Sequence, residues 1–170
     1  MKGDDFMKII EYKVIRNEER HPALMEVKSH NWNKDLNSYE NIVAMLNKCF
    51  HMDILNEEYA YVISLDTALN CLGVFELSHG TTLATNISNK ELYTFLLLTG
   101  AEQYVVAHNH PSGQLDISDG DERMTSSINA FSLLLNIKML ESIIISKKGF
   151  TLIQESRMSE FRRIFKNGGK

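Results

Sequence analysis

Cysteine is nearly absent. The chain carries only Cys49 and Cys71, in no CxxC arrangement, which excludes a zinc ribbon and a dithiol redox site. Both read as small buried residues, and such sparing use fits a reducing, cytoplasmic setting. Long apolar runs are absent too. Nothing approaches the ~20 residues that a bilayer span requires, and the opening MKGDDFMK lacks the apolar segment of a signal peptide. No membrane association is expected. Positive charge is not in excess: 18 Lys and Arg against 22 Asp and Glu give a net charge of −4. This excludes a surface-wide attraction to nucleic acid and leaves room only for a local basic patch. There is no internal repeat and no low-complexity segment. What is there is ordinary globular material, 44% hydrophobic and 24% charged over 170 residues, enough for one domain with its own core.

Residues 8–15, KIIEYKVI, alternate apolar and charged side chains and predict a strand. Residues 16–37 are polar and mixed, with a short element expected around ALMEV and a lone Trp32. Ser38 reads as an N-cap for an amphipathic helix over 39–50, with Ile42, Val43, Leu46 and Phe50 at helical spacing. YAYVISLD (59–66) and LGVFELS (72–78) are β-rich runs that pair as a hairpin across TALNC. Asn89 reads as the cap of a helix through Leu98, stopped by Gly100. QYVVAH (103–108) predicts a strand buried on both faces. Ser118 opens a helix expected to turn Met124, Ile128, Phe131 and Leu135 to one side. SIIIS, KKG and FTLIQ form a closing hairpin, and a basic amphipathic tail follows, with Phe161, Ile164 and Phe165 among Arg162, Arg163 and Lys166. This alternation implies an α/β sandwich with a central mixed sheet and a helix joining two strands as a right-handed crossover.

One stretch carries chemistry: AHNHPSGQLDISDGDE, residues 107–122. It lies at the carboxyl end of a buried strand and the amino end of a helix, where α/β folds place their sites. In an extended chain residues i and i+2 point the same way, so His108 and His110 share one side and Asn109 faces the other. Two imidazoles so placed can hold one cation, and a third, anionic ligand must come from elsewhere. Asp121 qualifies, in a first helical turn where the dipole favours a carboxylate. Two His and one carboxylate leave a fourth tetrahedral position for water, the open arrangement of a hydrolytic zinc centre. Ser118 stands at the loop edge, where its hydroxyl could serve an oxyanion. The plainer alternative is that Ser118-x-x-Asp121 is only a relative of the capping box. A hydrolase also needs an acid/base group. Glu76, a charged residue among Val74, Phe75 and Leu77, is the candidate, against the alternative of a strand-edge Glu facing solvent. Glu91 is its rival, but a first-turn position already explains that residue. His79 is expected in a loop lining the cleft, and His21, His30 and His51 on the surface.

His108-Asn109-His110-Pro111-Ser112-Gly113 followed by Ser118-x-x-Asp121 resembles the JAMM motif of JAB/MPN metalloenzymes, and the HNHPSG wording is similar to the bacterial RadC branch. SLDTALNCLG, ELSHGT and SIIIS…GFTLIQE resemble further family segments, so the likeness covers about residues 38–155. The resemblance implies a cytidine-deaminase-like α/β/α fold and one zinc ion held by His108, His110 and Asp121. It implies Glu76 as acid/base residue and Ser118 as oxyanion helper. It also implies hydrolysis of a peptide or isopeptide bond, although the RadC branch carries a traditional DNA-repair label. Deaminase chemistry is not expected, since H-x-E and PCxxC are missing.

Three departures accompany the likeness. The 37 residues before the core are expected to be too few for the helix-hairpin-helix module of RadC proteins. Glu141-Ser142 stands where the family often has Asp-His. The QLDI loop lacks the prolines common in relatives. The expected organisation is an N-terminal extension (1–37), a RadC-like JAB/MPN domain (38–155) and a basic tail (156–170). The competing expectation is a DNA-associated accessory domain without peptidase turnover, resting on the tail from Arg157 and Arg162 to Lys170.

Overall fold

The computed structural model describes residues 6–80 and 87–154. The basic tail and the opening residues MKGDD lie outside the described residues, as do Thr81 and Thr82, which follow the ELSHG segment. The elements run β1 (Met7–Arg16), β2 (Pro22–Trp32), α1 (Tyr39–Phe50), β3 (Glu58–Leu65), β4 (Cys71–Gly80), α2 (Asn89–Thr99), β5 (Gln103–Asn109), α3 (Asp119–Leu135), β6 (Lys138–Ser146) and β7 (Gly149–Leu152). One seven-stranded sheet orders them β2-β1-β4-β3-β5-β6-β7. The pairs β1/β4 and β5/β6 are parallel and the others antiparallel, so the sheet is mixed.

Strand periodicity builds two cores from one sheet. Tyr61, Ile63 and Leu65 of β3, with Val105 and Ala107 of β5, face α1 and pack on its Ile42, Met45, Leu46 and Phe50. Ala60, Val62, Tyr104 and Val106 face the other way and pack on α2 and on Met124 and Ile128 of α3. With helices on both faces, the α/β sandwich with a central mixed sheet is what the structure shows. The β3/β4 hairpin, the doubly buried β5 and the closing β6/β7 hairpin all form.

Three local expectations change. The region around ALMEV is an eleven-residue edge strand. It pairs only with β1 and is exposed along most of its length, so no apolar alternation marks it. The cap of α2 is Ser88, whose side chain accepts from the Glu91 amide; the helical run begins at Asn89, and Gly100 ends it at φ 68°. Beyond the buried Asp121, the buried stripe of α3 is Met124, Thr125, Ile128 and Ser132, while Phe131 and Leu135 are exposed beside it. The stripe follows the residues that meet β6, and two of its four members are hydroxyls that apolar periodicity does not count.

Candidate metal centre

The alternation along β5 sets the site. Tyr104 and Val106 point towards α2 and α3, so His108, fully buried, points there as well. Asn109 points to the α1 side. His110 lies one residue past the strand, but its amide donates to the Ile145 carbonyl at 2.8 Å, which prolongs the pairing with β6. The second imidazole therefore stays on the face of the first. Helix α3 brings the third group, because Ser118 caps it and Asp121 occupies its first turn.

The three side chains converge. His108 Nε2 lies 2.9 Å from Asp121 Oδ1 and 3.1 Å from His110 Nε2. His110 Nε2 lies 3.7 Å from the same carboxylate oxygen. Two ring nitrogens aimed at each other and at one anionic oxygen can share a cation. Their neighbours fit that purpose. His110 Nδ1 is 3.1 Å from the Gln114 carbonyl, so with the ring proton there Nε2 keeps its lone pair for a metal. Asp121 divides its two oxygens: Oδ2 accepts from the Ser118 amide at 2.8 Å and the Ser118 hydroxyl at 2.6 Å, and Oδ1 turns to the histidines. The capping box and the ligand set are thus both present, on different oxygens of one carboxylate. Burial works to raise the Asp121 carboxyl, but hydrogen bonds from His108, His110 and Ser118 outweigh it and hold the group well below the usual carboxylate range. The His110 imidazole is raised, chiefly by its hydrogen bond to Asp121 against the opposing effect of burial, with the charge of Glu58 a smaller contribution. His108, His110 and Asp121 can hold a metal ion.

At the loop edge the Ser118 hydroxyl donates to Asp121 Oδ2 and so orients that carboxylate.

Glu76 does not join the cluster. It pairs across the sheet with Tyr61, a residue of the α1-side core, while His108 is on the opposite face. Its Oε1 lies 2.8 Å from His79 Nδ1, and His79 stacks on Tyr59 at 5.4 Å. Burial and then the charge of Glu76 raise the Tyr61 hydroxyl, and the same two influences raise the Glu11 carboxyl. Its face follows plain alternation: Val74 packs in the α1-side core and Phe75 and Leu77 in the other, so Glu76 shares the side of Val74 and Tyr61.

The carboxylate on the face of His108 is Glu58. It precedes Ala60 by two residues on the regular strand β3, and Ala60 is paired with His108. The position of Glu58 is a signal of parity, readable only once the β3/β5 register is known. Glu91 lies in the first turn of α2, away from the cluster. His21 and His51 are exposed, and His30 is half-buried against Phe50 at 5.1 Å.

The unusual pair at 141–142 also finds its place. Glu141 is buried, and its Oε1 accepts from the Ser142 and Gln154 amides at 2.7 Å each. Ser142 Oγ accepts from Thr125 Oγ1 at 3.0 Å, one helical turn beyond Asp121. That bond fastens the ligand-bearing helix to the sheet. Beside the cluster runs a groove of about 310 Å³ bordered by Ile54, Leu55, Asn109, His110 and Lys147.

The chain matches the family model described as RadC-like JAB domain over residues 36–158. A UPF0758 protein of Thermotoga maritima is 28% identical over 116 residues, 68% of this chain and 52% of the relative. One of Acinetobacter baylyi is 30% identical over 135 residues, 68% and 50% respectively. One of Acaryochloris marina is 30% identical over 101 residues, 59% and 42%. The chain thus spans about half the length of the relatives it matches. A match over most of its length places the chain in the RadC-like JAB domain family.

Proposed function

We propose that this protein is a zinc-dependent hydrolase that cleaves a peptide or isopeptide bond in the cytoplasm. The observation that carries the reading is the convergence of His108 Nε2, His110 Nε2 and Asp121 Oδ1. Zinc bound there would act as a Lewis acid and make water nucleophilic at neutral pH. The residues of the chain supply the rest. Asp121 brings the negative charge that offsets the cation, and Ser118 and the helix amino terminus keep that carboxylate ionised and aimed. With the ring proton on Nδ1 facing the Gln114 carbonyl, His110 would offer Nε2 to the metal. Glu58 accepts the proton from the attacking water and returns it to the leaving amine, a task for a carboxylate on the metal side of the sheet. Glu76 lacks that position. The groove bordered by Ile54, Leu55 and Lys147 offers the substrate an apolar wall that ends at a ligand histidine.

Elemental analysis tests the proposal, on protein purified without a His tag or chelator and beside His108→Ala and Asp121→Ala. About one zinc per chain in the parent and none in the variants is expected, with zinc-dependent cleavage of a peptide or isopeptide library by the parent alone. A parent that takes up no metal when zinc is offered sinks the reading.

A further inference from the structure

The last two turns of α2 and the second half of α3 are unusual in what they lack. From Leu92 to Ala101, and from Thr125 to Ile137, neither segment contains a charged residue. Their outer surfaces carry Leu97, Leu98, Phe131, Leu133, Leu134 and Leu135, all exposed, with Leu133 and Leu134 at 80% and 81%. The helices touch: Tyr93 of α2 packs on Phe131 of α3 with centroids 5.8 Å apart, and its hydroxyl donates to the Ile128 carbonyl. Leu97 lies one turn beyond Tyr93, and Leu134 and Leu135 lie one turn beyond Phe131. These side chains therefore form one apolar ridge across two neighbouring helices. Leu98 and Leu133 flank it. Helix propensity does not ask for leucine at exposed positions when Glu, Lys or Gln would serve as well.

We propose that this face binds a second copy of the chain and makes a two-fold symmetric dimer. Charge argues for self-association. A surface without acid or base offers nothing to steer a charged partner, and it meets its own copy without like-charge repulsion. Area argues likewise. The six side chains present on the order of 500 Å² of apolar surface, near what a standard interface of ~800 Å² per partner at about 65% apolar requires. A patch of this size exceeds scattered surface leucines. Position fits as well. The ridge lies at the end of the domain where β5 and β6 begin, next to Ala101 and Ile137. The metal cluster lies where β5 ends, about 20 Å away by strand rise. Pairing through the ridge leaves both metal centres open.

Sedimentation equilibrium of the full chain over a concentration series is the test. A reversible dimer is expected, weakened at least tenfold by Leu134→Lys, with circular dichroism and metal content unchanged because that side chain makes little contact with its own fold. Ile54→Lys, an exposed apolar position elsewhere, should leave the dimer intact. A parent that stays monomeric at every concentration overturns the proposal. If removal of residues 156–170 then induces self-association, the face belongs to the tail. A dimer that survives Leu97→Lys and Leu134→Lys together overturns the proposal too.

Discussion

Asn109 and Tyr59 are joined across the β5/β3 junction: the side-chain oxygen of Asn109 accepts from the Tyr59 amide at 2.7 Å. Its side-chain nitrogen donates to the Glu57 carbonyl at 2.9 Å. The middle residue of His-Asn-His is therefore neither a spacer nor a ligand. It points away from the metal side and ties the segment 57–59 to the strand that carries the histidines. Glu58 sits between the two tied peptide groups, so Asn109 sets where that carboxylate stands.

Asn109→Ala should accordingly do two things. It removes the partners of a part-buried amide and a part-buried carbonyl, which costs about 1 kcal/mol in urea unfolding. It also frees the start of β3, so that the Tyr59 amide exchanges faster with solvent. Asn109→Asp restores only the acceptor and buries a charge, and it should be no more stable than Asn109→Ala. Unchanged exchange at Tyr59 in Asn109→Ala would show that the tie is not what holds Glu58 in place.

The assignment of the acid/base group separates two carboxylates. Glu58→Gln should retain metal and lose roughly 10²- to 10⁴-fold in turnover of a cleavable peptide or isopeptide substrate, the usual worth of a positioned proton carrier. Glu76→Gln should retain both metal and turnover within a few-fold, and should alter the environment of Tyr61 and His79. The reverse pattern would return the role to Glu76 and require the sheet to be breached at the β4 bulge.

Much of this arrangement was legible in the chain itself. The helix at 39–50 announced itself through Ser38 and an apolar stripe, and β5 through an unbroken apolar run. His108 and His110 on one face followed from strand parity, and Asp121 from its place in a helical first turn. Glu58 was hidden for a definite reason. Its face depends on the register between β3 and β5, a relation between segments some fifty residues apart that no local pattern encodes. Glu76 stood out as a charge among apolar flanks, which do not tell whether it shares a face with the histidines. The edge strand β2 was obscure because it is solvated along most of its length. Ser142 read only as a departure from the family pattern, and the packing of α3 on β6 reveals the hydroxyl pair it makes with Thr125.

The pH dependence of the metal-free and metal-bound forms should diverge. In the metal-free protein the His110 imidazolium is favoured in the folded state, its pKa raised mainly by Asp121. A group with a raised folded pKa contributes stability that is complete below its unfolded value, near 6.5, and is lost as pH climbs through the folded value. Asp121 works in the opposite sense. Its depressed carboxyl contributes stability that is complete above the unfolded range near 4 and is lost as pH falls below it. Metal-free protein should therefore be most stable between those limits and weaken as pH rises past the titration of His110. Zinc requires that same imidazole unprotonated, so its binding should strengthen over the range in which the metal-free form weakens. Urea midpoints measured from pH ~5 to ~9, with chelator and with added zinc, give the comparison. The two curves should separate as pH rises through the titration of His110 and run parallel above it. Curves parallel over the whole range would mean that the metal, if bound, does not use His110.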